Sequence, residues 1–322
     1  MLDKYSLTGS SSVLEQEITK SVHVLGDIAL TGQATIIFAA PNTGKTLITL
    51  HLVMESLNRQ VIDLSKLYYI NVDDTGEGLI QKLKIAEEYG FQMLSEGHKN
   101  FKTGDFKNIV LEMIEKKQCQ DVIIIVDTLK KFANLMDKKK VSEFNRMVRV
   151  FVLMGGTFIA LAHVNKKPDA NGKPVYGGTT DTVDDFDCAY TLHKVRDEDD
   201  FTHVQFENIK RRGNVAQLAN YRYCNARDIT YNELLLSVGY VDSDDEFPFY
   251  EVEQRKSEML VIEAVKAAIK NGTNTKMILT DVVAKDVGLS KRKMLKLIEE
   301  HTGTHWNFTV GERNANIFYV ID

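Results

Sequence analysis

The chain lacks any apolar run approaching the roughly 18 residues that a membrane-spanning helix needs. It also lacks a leader signature, because its start, "MLDKYSLTGSSSVLEQE", has no basic-then-apolar order. Cysteine is scarce. Cys119, Cys188 and Cys224 are odd in number and scattered without metal-ligand spacing, which argues against a disulfide framework and for a reducing, cytoplasmic setting. A strong positive charge is missing as well: the net charge is −5, which does not advertise nucleic-acid binding. The balance is uneven, however. From Arg255 to the end there are 11 Lys+Arg and 8 Asp+Glu, a net of +3, leaving −8 for the residues before it. No internal repeat or low-complexity tract is present. What remains is a chain of 322 residues, 43% hydrophobic and 26% charged, long enough for a large core and more than one domain.

Four short apolar runs stand out: Ala34–Ala39, Lys66–Val72, Asp121–Asp127 and Thr157–His163. They are apolar throughout rather than alternating, as parallel strands covered on both faces are. Helix-like stretches lie between them, "TLITLHLVMESLN", "EGLIQKLKIAEEYG" and "SEFNRMVRVFVLMGG", with Gly90 and Gly155 at helix stops. This alternation predicts an α/β domain with a mostly parallel sheet. Further strands are expected at "DCAYTLHKV", "HVQFENIKR" and "ANYRYCNA", the last ones antiparallel and closing one edge. Around "VDSDDEFPFYEVEQ" the pattern breaks into an acidic linker, 241–254. Beyond it, 255–322 reads as three helices and a terminal hairpin, the outline of a winged helix-turn-helix, with Ser290 as N-cap of the third helix.

One motif carries chemistry. "FAAPNTGKT" comes within one residue of a phosphate-binding loop: Gly44, Lys45 and Thr46 fill the last three slots, and Ala39 stands where the pattern has its first glycine. Alanine is acceptable there if φ stays negative. An apolar strand precedes the motif and an amphipathic helix follows it, which is the context that such a loop demands. Backbone N–H groups from Ala40, Pro41's neighbours Asn42 and Thr43, and on to Leu47 would surround a β-phosphate. Lys45 would reach the β- and γ-phosphates of ATP, and Thr46 would put its hydroxyl on Mg²⁺. "DVIIIVDTL" ends a buried strand in Asp127, suited to hold Mg²⁺ through water. "LYYINVDDTGEG" ends another in Asp73 and Asp74, either of which is a candidate to polarise the attacking water, or equally a helix cap.

Five blocks in order, "AAPNTGKT", "YYINVDD", "IIIVDT", "TFIALAHVNK" and "NIKRRGN", resemble the RecA-type ATPases, specifically the branch of hexameric replicative helicases that includes plasmid RepA and bacterial DnaB proteins. The resemblance covers about Leu25 to Asn225. It implies a RecA-like P-loop core over 25–240, a subunit-docking lead-in over 1–24 and a homo-oligomer, a hexamer in that branch. Where the family carries a catalytic glutamate this chain has Asp73, one methylene shorter. His163 matches a γ-phosphate sensor. Lys166, Lys167, Lys173, Gly178 and Thr179 fall in a segment that resembles a loop facing a central channel, where single-stranded DNA phosphates would be contacted. Lys210 and Arg212, with Arg211 as the spare, resemble a cation pair that reaches the neighbouring subunit's γ-phosphate. In the tail, Lys291, Arg292 and Lys296 would face duplex DNA, Met294, Leu295 and Ile298 would pack inward, and Arg313 and Asn314 would form a wing. The expected activity is DNA-dependent ATP hydrolysis by a helicase in plasmid or phage replication. A filament-forming recombinase or strand-annealing ATPase on the same fold, and an ATP-switched DNA-binding regulator with weak hydrolysis, are the alternatives.

Overall fold

The computed structural model describes residues 2–17, 21–132, 138–164, 180–198, 200–226, 228–242, 249–287, 290–311 and 316–321. The chain separates into two compact units, Met1–Asp245 and Glu246–Asp322. The division falls inside the expected acidic linker, but the linker is shorter than expected, because a helix already begins at Phe249. Among the described residues no helix is long and apolar enough to cross a membrane.

The first unit opens with helix α1 (Ser11–Glu17) and a small antiparallel pair, β1 (His23–Leu25) and β2 (Ala29–Leu30). Then come β3 (Ala34–Ala39), α2 (Lys45–Asn58), β4 (Leu67–Asn71), α3 (Gly76–Tyr89), β5 (Gln92–Leu94), α4 (Phe106–Glu115), β6 (Ile123–Asp127), α5 (Lys138–Leu153) and β7 (Thr157–His163). The first part of this order follows the expected alternation. Strand β5 and helix α4 lie between α3 and β6, a stretch where no element was expected. The unit ends with α6 (Thr180–Asp185), β8 (Cys188–Glu198), β9 (Phe201–Lys210), β10 (Leu218–Cys224), α7 (Tyr231–Leu236) and β11 (Gly239–Val241).

Nine strands form one sheet in the order β11-β10-β9-β8-β3-β7-β6-β4-β5. The six from β8 to β5 run parallel, and β8, β9, β10 and β11 pair antiparallel along the other side. All residues of β3 and of β6 are buried, as expected of strands covered on both faces. One face packs on α2 and α3 through Ile37, Leu50, Tyr69 and Ile125, and the other on α4 and α5 through Phe38, Phe106, Phe144 and Phe158. Alternation along each strand divides its side chains between these two cores.

The second unit has helices α8 (Phe249–Lys270), α9 (Lys276–Asp286) and α10 (Lys291–Glu300), followed by the antiparallel hairpin β12 (Trp306–Val310) and β13 (Asn316–Val320). Thr275, just before α9, bridges to Ile317 of β13. Its own core holds Val265, Leu279, Met294, Ile298 and Trp306. Leu297, not the expected Leu295, joins it. At 100° per residue Leu295 and Leu297 flank the Met294–Ile298 face on opposite sides, each about 80° from its centre, so the wheel alone does not separate them; both are half-buried, and the core lies on the Leu297 side.

The cores are separate, and Trp306 is the only tryptophan of the chain. Its fluorescence therefore reports unfolding of the second unit alone. Urea titration is expected to give a fluorescence midpoint distinct from that of far-ultraviolet dichroism, which is dominated by the larger unit. A single coincident transition would contradict two independent cores.

Candidate active site

Parallel pairing brings four strand ends to one edge of the sheet. Ala39 pairs with His163, Leu161 with Asp127, and Asp127 with Asn71. The loop after β3, the turn after β4 and the ends of β6 and β7 therefore converge, although they come from four widely separated stretches of sequence. A cleft at the carboxyl ends of parallel strands is where α/β sheets bind ligands.

Ala39 is the last residue of β3, fully buried and outside the left-handed region. The loop places its positive φ elsewhere, at Asn42 (61°) and Gly44 (82°). A first glycine is therefore unnecessary here, while the glycine at 44 is required twice over. Beyond its φ, a Cβ there would come within 2.6 Å of the Tyr223 ring. Thr43 Oγ1 donates to Ala40 O at 2.8 Å and tightens the turn. No side chain caps α2 at Gly44, so the N–H groups of its first turn face the loop, at the positive end of the helix.

Lys45 is buried, and its Nζ donates to Ala162 O of β7 at 3.3 Å. Burial lowers its pKa, while the charges of Asp127 and then Asp73 oppose that shift. A polyanion in the loop would stabilise the ammonium further. Thr46 Oγ1 donates to Asp127 Oδ2 at 2.6 Å. The same oxygen accepts from the Tyr69 hydroxyl at 3.0 Å. Tyr69 is fully buried, and burial followed by the Asp127 charge pushes its phenol well up, so it remains a proton donor. One oxygen of the Asp127 carboxylate, a residue only 2% exposed, thereby accepts from two hydroxyls.

The two candidate carboxylates after β4 diverge. Asp74 turns inward: its Oδ2 accepts from Asn71 Nδ2 at 2.9 Å and pairs with the Lys82 ammonium, and its N–H reaches Asn71 Oδ1 at 3.3 Å. Asp73 faces the loop side. Its Oδ2 stands 4.0 Å from His163 Nε2, and it is 42% exposed. Neither ring nitrogen of His163 has a hydrogen-bond partner among the described residues. Burial, then the charges of Lys45 and Lys130, lowers the His163 pKa, so the imidazole is neutral at pH 7. Of the sequence candidates, Lys45, Thr46, Asp73, Asp127 and His163 are brought together, and Asp74 is set apart by its own partners.

Lys210 and Arg212 lie at the opposite edge of the sheet. Lys210 pairs with Ala189, which pairs with Ile36, and its Nζ is held by the carbonyls of Val183 and Asp184. Arg212 bonds the buried Asp187 at 2.6 Å, whose second oxygen accepts from Ala34 N–H, at the start of β3. About 16 Å of strand separates that point from the loop after β3, so these cations do not reach that loop of their own chain. Lys166, Lys167, Lys173, Gly178, Thr179 and Arg313 lie outside the described residues. Lys291 and Arg292 are exposed at the start of α10, where Lys291 pairs with Asp281 at 2.8 Å; Lys296 is exposed and pairs with Glu300 at 3.3 Å.

Tyr69, Lys82, Lys130 and Tyr223 join the site or its surroundings from outside the sequence candidates. Only Lys130 had a local signal, three residues after Asp127. No protein-family model matches the chain, and no curated protein matches it.

Removing one hydroxyl tests the buried cluster. Tyr69→Phe deletes a hydrogen bond to a buried charge and is expected to cost about 1.5–3 kcal/mol of stability. The measurement is the urea midpoint read by far-ultraviolet dichroism; an unchanged midpoint would contradict the Tyr69–Asp127 bond.

Proposed function

We propose that the chain is a Mg²⁺-dependent ATPase with a RecA-like P-loop core, oligomeric and acting on DNA. The observation that carries this reading is the 2.6 Å contact of Thr46 with Asp127 beside the buried Lys45, at the end of a strand-loop-helix unit. Among the described residues no group of three or more His, Cys, Asp or Glu is poised for a metal. Mg²⁺ is commonly held by one or two protein oxygens together with substrate phosphates and water. Thr46 and Asp127 would hold it, and it supplies charge neutralisation at the β- and γ-phosphates.

The chain's own residues divide the rest. Lys45 and the loop N–H groups bind the phosphates. Asp73 accepts the proton of the attacking water, and the neutral His163 beside it donates to a γ-phosphate oxygen. Lys210 and Arg212, at the far edge of the sheet, suit a neighbour's γ-phosphate and support a ring in which each subunit completes the next. Helicase translocation on single-stranded DNA is the leading activity, in plasmid or phage replication. The second unit is read as a winged helix for duplex DNA. The isolated Thr275–Ile317 bridge, which lays the residue before α9 against the hairpin, supports it, and so does the exposure of Lys291, Arg292 and Lys296 on α10.

One observation favours a second reading. Asp73 is one methylene short of the glutamate in the resembled family, which suits slow hydrolysis and an ATP-gated DNA-binding regulator. ATP turnover with and without single-stranded DNA separates the two. The helicase reading expects strong stimulation by DNA, lost on the order of 100-fold in Asp73→Ala and substantially lowered in Asp74→Ala. Slow turnover indifferent to DNA and to both substitutions would overturn it in favour of the switch.

A further inference from the structure

We propose that Lys82 is a positioning residue for this hydrolysis, which decides that Asp73 and not Asp74 serves the attacking water. The inference rests on the ATPase reading above and extends it to a residue outside every motif of the sequence.

Lys82 lies on α3, yet it is only 7% exposed. Its ammonium pairs with Asp74 Oδ2 and lies 5.7 Å from the centre of the Tyr231 ring, within cation–π range. A buried ammonium is retained only with a close partner, and Asp74 is that partner. The same carboxylate oxygen is gripped by Asn71 Nδ2, and Asn71 is itself fully buried as the last residue of β4, paired in register with Asp127. Asp74 is thus fixed from two sides, by the helix and by the strand, and the peptide that joins it to Asp73 is fixed with it. Asp73 is left as the carboxylate that turns toward Lys45 and His163.

The pair also sets charge. With Lys82 in place, Asp74 adds no net negative charge beside a site meant for a polyanion. Without it, two adjacent carboxylates would compete for the same water and repel the γ-phosphate. A misplacement of the reacting carboxylate by about 1 Å costs on the order of 100-fold in rate without touching the groups that bind phosphate.

The test compares full-length wild type, Lys82→Met, Lys82→Arg and Asp74→Asn. Binding of a fluorescent ATP analogue and steady-state ATP turnover are read on each. Lys82→Met is expected to lose about 100-fold in kcat, with nucleotide affinity and KM changed by less than about threefold. Lys82→Arg is expected to recover most of the rate, because its guanidinium still pairs with Asp74. Asp74→Asn, which keeps the shape and removes the charge, is expected to lower kcat as well, and it serves if Lys82→Met fails to fold. Wild-type turnover in Asp74→Asn, or in a folded Lys82→Met, overturns the positioning role and leaves the ATPase reading standing. A parallel loss of affinity and rate, not restored by arginine, makes Lys82 structural only and overturns the proposal too. A wild type that neither binds nor hydrolyses ATP overturns both.

Discussion

A carboxylate that is 2% exposed must find its hydrogen bonds inside the protein, and the geometry of the site follows from how Asp127 does so. Thr46 comes to it from the first turn of α2 and Tyr69 from the neighbouring strand. These two bonds tie the loop helix to the sheet at its carboxyl edge. They also set a polar, hydrogen-bonded cluster in an otherwise apolar strand, where nothing but partners makes the charge tolerable. Lys45, buried against β7 and drawn by the charges of Asp127 and Asp73, completes a group of opposite charges around an uncapped helix start.

Much of this was legible because the relevant signals are local. Strands Ala34–Ala39 and Thr157–His163 run as read, since a short, wholly apolar run bounded by turns has few other places to go in a large domain. The strand-loop-helix unit around Gly44, Lys45 and Thr46 was legible from those residues and their flanks. The structure adds the reason that Ala39 is tolerated: the loop's left-handed residues are Asn42 and Gly44, and position 39 is plain strand. Strand β5 escaped notice because it is a three-residue edge strand with no buried residue. Helix α7 is only six residues long, although Thr230 and Glu233 form a capping box that marks its start.

What sequence could not supply was register. Tyr69 looks like one more aromatic in an apolar run until β4 and β6 are aligned and its hydroxyl meets a carboxylate 58 residues away. Lys82 looks like one charge on the solvated face of an amphipathic helix, and only burial beside Asp74 distinguishes it. The same alignment separated Asp73 from Asp74, which adjacency alone had left equivalent. It also set Lys210 and Arg212 at the far edge of the sheet, where they are held by the carbonyls of α6 and by Asp187. In the proposed ring those cations would exchange partners within the chain for a neighbour's phosphate. Arg149 also bonds Asp187, at 2.8 Å, so the buried carboxylate keeps a cation if Arg212 leaves.

The central claim is that the edge built on Asp127 binds a nucleoside triphosphate. Isothermal titration of the full chain with ATP and Mg²⁺, beside Lys45→Ala, tests it most directly. The account predicts saturable binding by the wild type that weakens by about tenfold or more when the lysine is removed, as loss of a charge-assisted contact to phosphate requires. No binding by the wild type, or equal binding by both proteins, would contradict it.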